Sequence, residues 1–183
     1  MFTNKQGAIL VIPIIIFCLM ISGSLCQGSA VENDDYSRGS LSGLQGVYVA
    51  TRSLEPEIEK RGLSASAIKT DAELMLRIAG INVLTKEQWI KTKGGPVFYI
   101  EIDIIDGSII TNALDHNLYA FRISVEFNQD VFLVRNPAMR VLSPTWSTSY
   151  LGVTNSLPRI RSKVKKMVQR FIDAFQEVNR NRQ

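Results

Sequence analysis

The sequence predicts an α+β domain: a mostly antiparallel sheet of about four to five strands, with a mid-chain helix and a long C-terminal helix packed on one face. Three observations predict it. Apolar residues alternate over 97–105 and 118–127, the period of a half-buried strand. Residues 157–179 repeat their apolar positions at helical spacing. The strands cluster after one strand–helix–strand unit, so helices and strands segregate instead of alternating throughout. The chain divides into a signal peptide over 1–30, a flexible linker over 31–45 and a single domain over 46–181.

The N-terminus reads as a targeting segment. After Lys5, residues 8–25 run AILVIPIIIFCLMISGSL without a charge, and small residues follow, which describes a secretory signal peptide. Gly28 and Ala30 stand at the −3 and −1 positions of a cleavage point after Ala30. An apolar run of this length also just spans a bilayer, which is the alternative. Pro13 and the Gly/Ser-rich exit favour cleavage, and Leu25 before Cys26 disfavours lipid attachment. Both cysteines, Cys18 and Cys26, fall in this segment. The exported chain then has no disulfide and no thiol chemistry, and its core alone must hold it together. At 45% apolar and 21% charged residues, the composition excludes a disordered or collagen-like chain.

Residues 27–45, rich in Gly, Ser and Asp, read as a tether. Alternation from Gly46 to Arg52 predicts the first strand, and EPEIEKRG over 55–62 a charged connection. Ser64 is a helix N-cap for about 65–79, with Ile68, Ala72, Met75 and Ala79 on one face. Gly80 takes the left-handed C-terminal cap, closed over by Ile81. Ile81 to Leu84 reads as a short strand. Thr85 and Gln88 form a capping box for a helix ending near Lys91. In the strand 97–105, Phe98, Ile100, Ile102 and Ile104 face inward. Residues 107–117 read as a loop. In the strand 118–127, Tyr119, Phe121, Ile123, Val125 and Phe127 face inward, and a bulge or bend is expected at 128–130 before Val131 to Arg135. Asn136-Pro137 signals a turn, and Pro144 confines a last strand over 141–151 to an edge or splits it.

GLSASAI (62–68), LRIAGINVL (76–84), the paired long strands, Thr145-Trp146, and a tail with Ile160, Arg161, Phe171, Ile172 and Asn179 together resemble a family of small exported bacterial proteins of uncharacterised function. The resemblance covers about 44–181. It implies an exported α+β domain, and its motifs read as caps and packing, with no catalytic residues to transfer. In element order the chain is also similar to α/β modules of bacterial envelope assembly proteins, a fold-level likeness. The absence of any N-x-S/T acceptor agrees with a bacterial exported protein.

Candidate chemistry is sparse. His116, beside Asp115, is the only histidine, and no nucleophile elbow or oxyanion-loop signature accompanies it. P-loop, zinc-protease and dinucleotide motifs are absent from the sequence. No enzyme and no cofactor are expected. Glu101 and Asp103 share a strand face, with Asp106 and Asp115 near in sequence, and offer a divalent-cation or small-ligand site on the polar sheet face, around Tyr99, as the alternative function. Trp89 and Trp146 read as packing anchors. The polar run Thr145, Ser147, Thr148 and Ser149 around Trp146 and Tyr150 leaves a recognition surface open.

The C-terminal helix is the most informative element. Ile160, Val164, Met167, Phe171, Phe175 and Val178, with Val168 and Ile172, make its buried stripe. Arg159, Lys163, Lys166 and Arg170 fall within about 60° on one flank at a helical 100° per residue. Arg161 and Lys165 lie elsewhere on the turn. Cations near a helix N-terminus oppose the dipole, the (i, i+4) pairs repel, and no acid occurs between 157 and 172. Residues 157–183 carry eight Lys or Arg against Asp173 and Glu177, while the rest of the chain from residue 31 holds twelve basic and fifteen acidic residues. The expected function is therefore a non-catalytic binding or assembly module of the bacterial envelope, periplasmic or extracellular, that contacts an anionic envelope protein or surface through Arg159, Lys163, Lys166 and Arg170. Solvation, or neutralisation by acids elsewhere in the fold, is the competing account of this flank. Nucleic acid is not expected, because stacking aromatics do not interleave the cations. Membrane contact enters only through residues 8–25, if they are retained.

Overall fold

A computed structural model describes residues 34–107 and 118–180. The element order is α1 (Asp35–Gly39), β1 (Tyr48–Thr51), α2 (Pro56–Lys60), α3 (Ala65–Ile78), α4 (Lys86–Lys91), β2 (Val97–Asp106), β3 (Tyr119–Leu133), β4 (Asn136–Thr154) and α5 (Leu157–Asn179). The four strands form one sheet in the order β1-β2-β3-β4. The fold is α+β, but the sheet is mixed. β1 pairs with β2 in parallel, and β2–β3 and β3–β4 are antiparallel. The parallel pair follows from the connection between its strands. That segment carries three helices, and a helical crossover returns the chain in the direction it started. Residues 81–84 contribute only a single bridge, Val47 to Val83, and no strand.

Local signals act as the sequence suggests. Thr85 and Gln88 make the reciprocal capping box of α4 at 3.2 and 2.8 Å. Gly80 has φ +79°, and the Ile81 amide donates to the Leu76 carbonyl at 2.9 Å, closing α3 with a buried Ile81. Gly46 is required for contact instead of conformation, because a Cβ there would lie 2.8 Å from the Asn82 carbonyl oxygen. β3 is continuous through the expected bulge, with the register slipping between Phe127 and Asn128. The partner residues Pro144 and Trp146 show that Thr145 is the extra residue on β4. Pro144 is tolerated because β4 is an edge strand. The hairpin turn falls at Val134-Arg135, two residues before the Asn136-Pro137 signal, and β4 begins at Asn136.

One sheet face is covered by α3, which packs against β1, and α5, which packs against β3, β4 and α3. The inward residues of β2 and β3 predicted from alternation are buried or half-buried there. The centre is aromatic. Phe171 of α5 lies 4.6 Å from Phe98, 5.8 Å from Phe127 and 5.2 Å from Trp146, ring centroid to centroid. Trp146 is fully buried, and Trp89 is half-buried and stacked on Tyr48 at 5.1 Å.

The linker reading is corrected for residues 34–45. This stretch forms α1 and docks on α5 and β4. Leu41 is wholly buried, the Asn179 amide donates to its carbonyl at 3.1 Å, and Asn179 Oδ1 accepts from the Gly43 amide at 2.9 Å. Few large apolar residues occur in the stretch, but one in the core with its backbone bonded is enough to fix it. Residues 1–33, with the expected signal peptide, lie outside the described residues, as do 108–117, most of the expected loop.

Candidate functional site

The basic flank of α5 is positioned by the helix's own core stripe. Leu157, Ile160, Val164, Met167, Val168, Phe171, Ile172 and Ala174 are buried. Their burial fixes the rotation of the helix and leaves Arg159, Lys166 and Arg170 exposed and Lys163 half-exposed. The flank borders the edge strand β4. Lys163 Nζ stands 3.8 Å over the ring of Tyr150, and Arg170 donates to Thr148 Oγ1 at 3.2 Å. Lys163 thus gains from the ring quadrupole of Tyr150. Thr148 and Tyr150 of the polar run thus lie beside the cations, while Ser147 and Ser149 pair with Glu126 and Ser124 in the register of the opposite sheet face.

Charge pairing separates the helix's cations into two sets. Arg161 clamps Asp71 of α3, with Nε–Oδ2 at 2.6 Å and a second nitrogen on Oδ1 at 3.0 Å, and Lys165 adds a contact of 3.3 Å. The Arg161 hydrogen bonds hold the Asp71 carboxyl below its ordinary range against the opposing effect of burial. By contrast, among the described residues no carboxylate lies within 4 Å of a nitrogen of Arg159, Lys163, Lys166 or Arg170. Among the described residues, neutralisation by acids from elsewhere in the fold therefore applies to Arg161 and Lys165 and does not reach the four flank residues.

The open sheet face does not present free cation ligands. Glu101 and Asp103 share that face, as their spacing requires, but Arg52 and Arg122 occupy both. Arg122 reaches Asp103 Oδ2 at 2.8 Å and Glu101 Oε2 at 3.3 Å, while Arg52 bonds Glu101 directly and lies 3.4 Å from Asp103. Two guanidiniums balance two carboxylates, and an entering cation would have to displace both. Asp106 is taken by Arg61 at 2.8 Å. Among the described residues no group of three or more potential ligands is placed to hold a metal. Cross-strand pairing, which the alternation could not reveal, engages the charge of Glu101 and Asp103 and weighs against a cation there. Asp115 and His116 lie outside the described residues. A cleft of about 780 Å³, lined by Leu44, Asn82, Gln88, Lys91 and Thr92 among others, has no carboxylate in its wall.

Sequence reading missed the far end of the β3–β4 hairpin. Phe132, Val134, Met139 and Leu142 are exposed there, beside Arg135 and Arg140. The signal was the run FLVRNPAMRVL over 132–142, in which large apolar and basic residues crowd around the Asn136-Pro137 turn signal. Against known proteins, no family model matches the chain, and no curated protein matches it in sequence.

Proposed function

We propose that the chain is an exported, non-catalytic binding or assembly module of the bacterial envelope, and that α5 and the edge of β4 together receive an acidic segment of an envelope protein. The observation that carries this is the set of four cations, Arg159, Lys163, Lys166 and Arg170, that have no carboxylate within 4 Å among the described residues and stand beside the side chains of Thr148 and Tyr150 on β4. A row of Lys and Arg repels a second copy of the same flank and attracts a chain of opposite charge. The partner this row favours is a segment that bears acidic side chains. The uncharged run 8–25 and the resemblance to exported bacterial proteins support the location.

The test is capture from envelope extract by the full chain and by a variant with Lys163→Glu, Lys166→Glu and Arg170→Glu. The native chain retains an acidic protein whose retention falls steeply with salt, and the variant loses it while keeping its thermal midpoint. Equal retention by the two would remove the proposal.

A further inference from the structure

β3 and β4 run past the rest of the sheet. The last β3 residue paired to β2 is Asn128, opposite Val97. Beyond it, the Asp130 amide still donates to the Gly94 carbonyl at 2.7 Å, and from there β3 and β4 continue as a pair to the turn at Val134-Arg135. A two-stranded ribbon with no covering layer is a poor place for large apolar side chains. Yet Phe132 is 64% exposed, Val134 98%, Met139 50% and Leu142 58%. Ile90 of α4 is 69% exposed across a cleft of about 490 Å³ that also meets Leu142, Lys91 and Lys93. Exposed apolar groups gathered in this way mark an interaction surface.

The charge at this end is one-sided. Arg135, Arg140, Lys91 and Lys93 flank the apolar groups, and only Arg140 has an ion partner among the described residues, Asp130 at 3.5 Å. Glu87 of α4 is the other nearby carboxylate in the sequence. The amino-terminal chain reaches the domain at the base of the same ribbon. Ser40 Oγ meets Thr145 Oγ1 at 3.1 Å, and Gln129 Nε2 donates to the Ser40 carbonyl at 3.4 Å. Only residues 26–33 separate the uncharged run 8–25 from Asp34. At about 3.5 Å per extended residue, eight residues reach no more than roughly 28 Å.

We propose that the ribbon end docks on an anionic lipid surface, with Phe132, Val134 and Met139 entering the headgroup–acyl boundary and Arg135, Arg140, Lys91 and Lys93 meeting lipid phosphates. A convex tip needs no matched groove in a fluid surface. Arginine and lysine stems lie along apolar groups while their charged heads stay at the phosphates. The short connection to residues 8–25 holds this end near a bilayer whenever that run is inserted. The surface is separate from the α5 flank.

The experiment places a reporter at the tip of the full chain with Val134→Trp, a change at a side chain that packs against almost nothing. Vesicles of phosphatidylcholine, with or without phosphatidylglycerol, carry brominated acyl chains. The fluorescence added over the parent chain is expected to fall about twofold in the anionic vesicles, as for a ring at the acyl boundary. It stays unquenched in the uncharged ones. Adding Arg135→Glu and Arg140→Glu abolishes the quenching, while the near-ultraviolet circular dichroism of the buried Trp146 stays native. An unquenched reporter on a chain that floats with anionic vesicles would mean that residues 8–25 alone bind, and would overturn the proposal. Equal quenching in both vesicle types would overturn the anionic requirement and the proposal with it. Protection of the tip by a co-purified protein without bromine quenching would also overturn it.

Discussion

Asp71 shows how a single residue joins two helices. It sits on α3, and Arg161 and Lys165 of α5 converge on its two oxygens. Its carboxyl is held below the usual range chiefly by the Arg161 hydrogen bonds. A depressed folded value means the contribution is complete above the unfolded value, about pH 4, and fades as pH falls through the folded value. Asp71→Asn should therefore cost about 1 kcal/mol at pH 7, and its urea midpoint should converge with that of the native chain as the pH falls through the lowered folded value. A gap of equal size throughout that fall would mean that the contact works through packing alone. On the open face, Glu101 and Asp103 are already balanced by Arg52 and Arg122. Added calcium or magnesium should leave the melting temperature unchanged. A rise that disappears in Asp103→Asn would show that a cation can displace the guanidiniums.

At the scale of an element, α5 serves two purposes that pull apart. Its apolar stripe centres on Phe171, which touches Phe98, Phe127 and Trp146. Phe171→Ala should cost about 3–5 kcal/mol in chemical denaturation. Its cationic flank works against the helix. Arg159 lies in the first turn, near the positive end of the dipole, and four residues before Lys163. Arg159→Glu should raise the thermal midpoint by about 1–2 °C, from roughly 0.5 kcal/mol of relieved repulsion. It should also weaken capture of the acidic partner. Stability and binding moving in opposite directions is the signature of a cation kept for a partner, and a fall in both would argue that Arg159 is structural. The face assignments of β2, β3 and α5 were legible because one-sided burial imposes a period of two or 3.6 on the sequence itself. The pairing of Arg161 and Lys165 was not, because Asp71 lies some ninety residues away and no local pattern links them.

For the whole molecule, the docked segment 34–45 is the clearest case of tertiary context overriding composition. Leu41→Ala should cost about 3 kcal/mol, as for a buried core side chain, measured by chemical denaturation; a true tether would show no change. The long hairpin was likewise hidden. Its outer half breaks the alternation because neither face there is buried in the core, so it carries no face to read. The parallel pairing of β1 with β2 was implicit in a strand–helix–strand unit, but the choice of β2 as neighbour depends on how the crossover helices cover the sheet. By itself, the sequence determined the helices that begin after Ser64, Thr85 and Ser156 and the strands over 97–105 and 118–127, which of their faces are apolar, where their caps and the bulge fall, and that one helix flank is basic. All of these follow from local sterics and from one-sided burial. Only the tertiary structure decided which charges are neutralised, what the Gly/Ser-rich segment does, and which apolar residues stay uncovered, because each depends on groups far apart in the chain that only folding brings within a few ångströms.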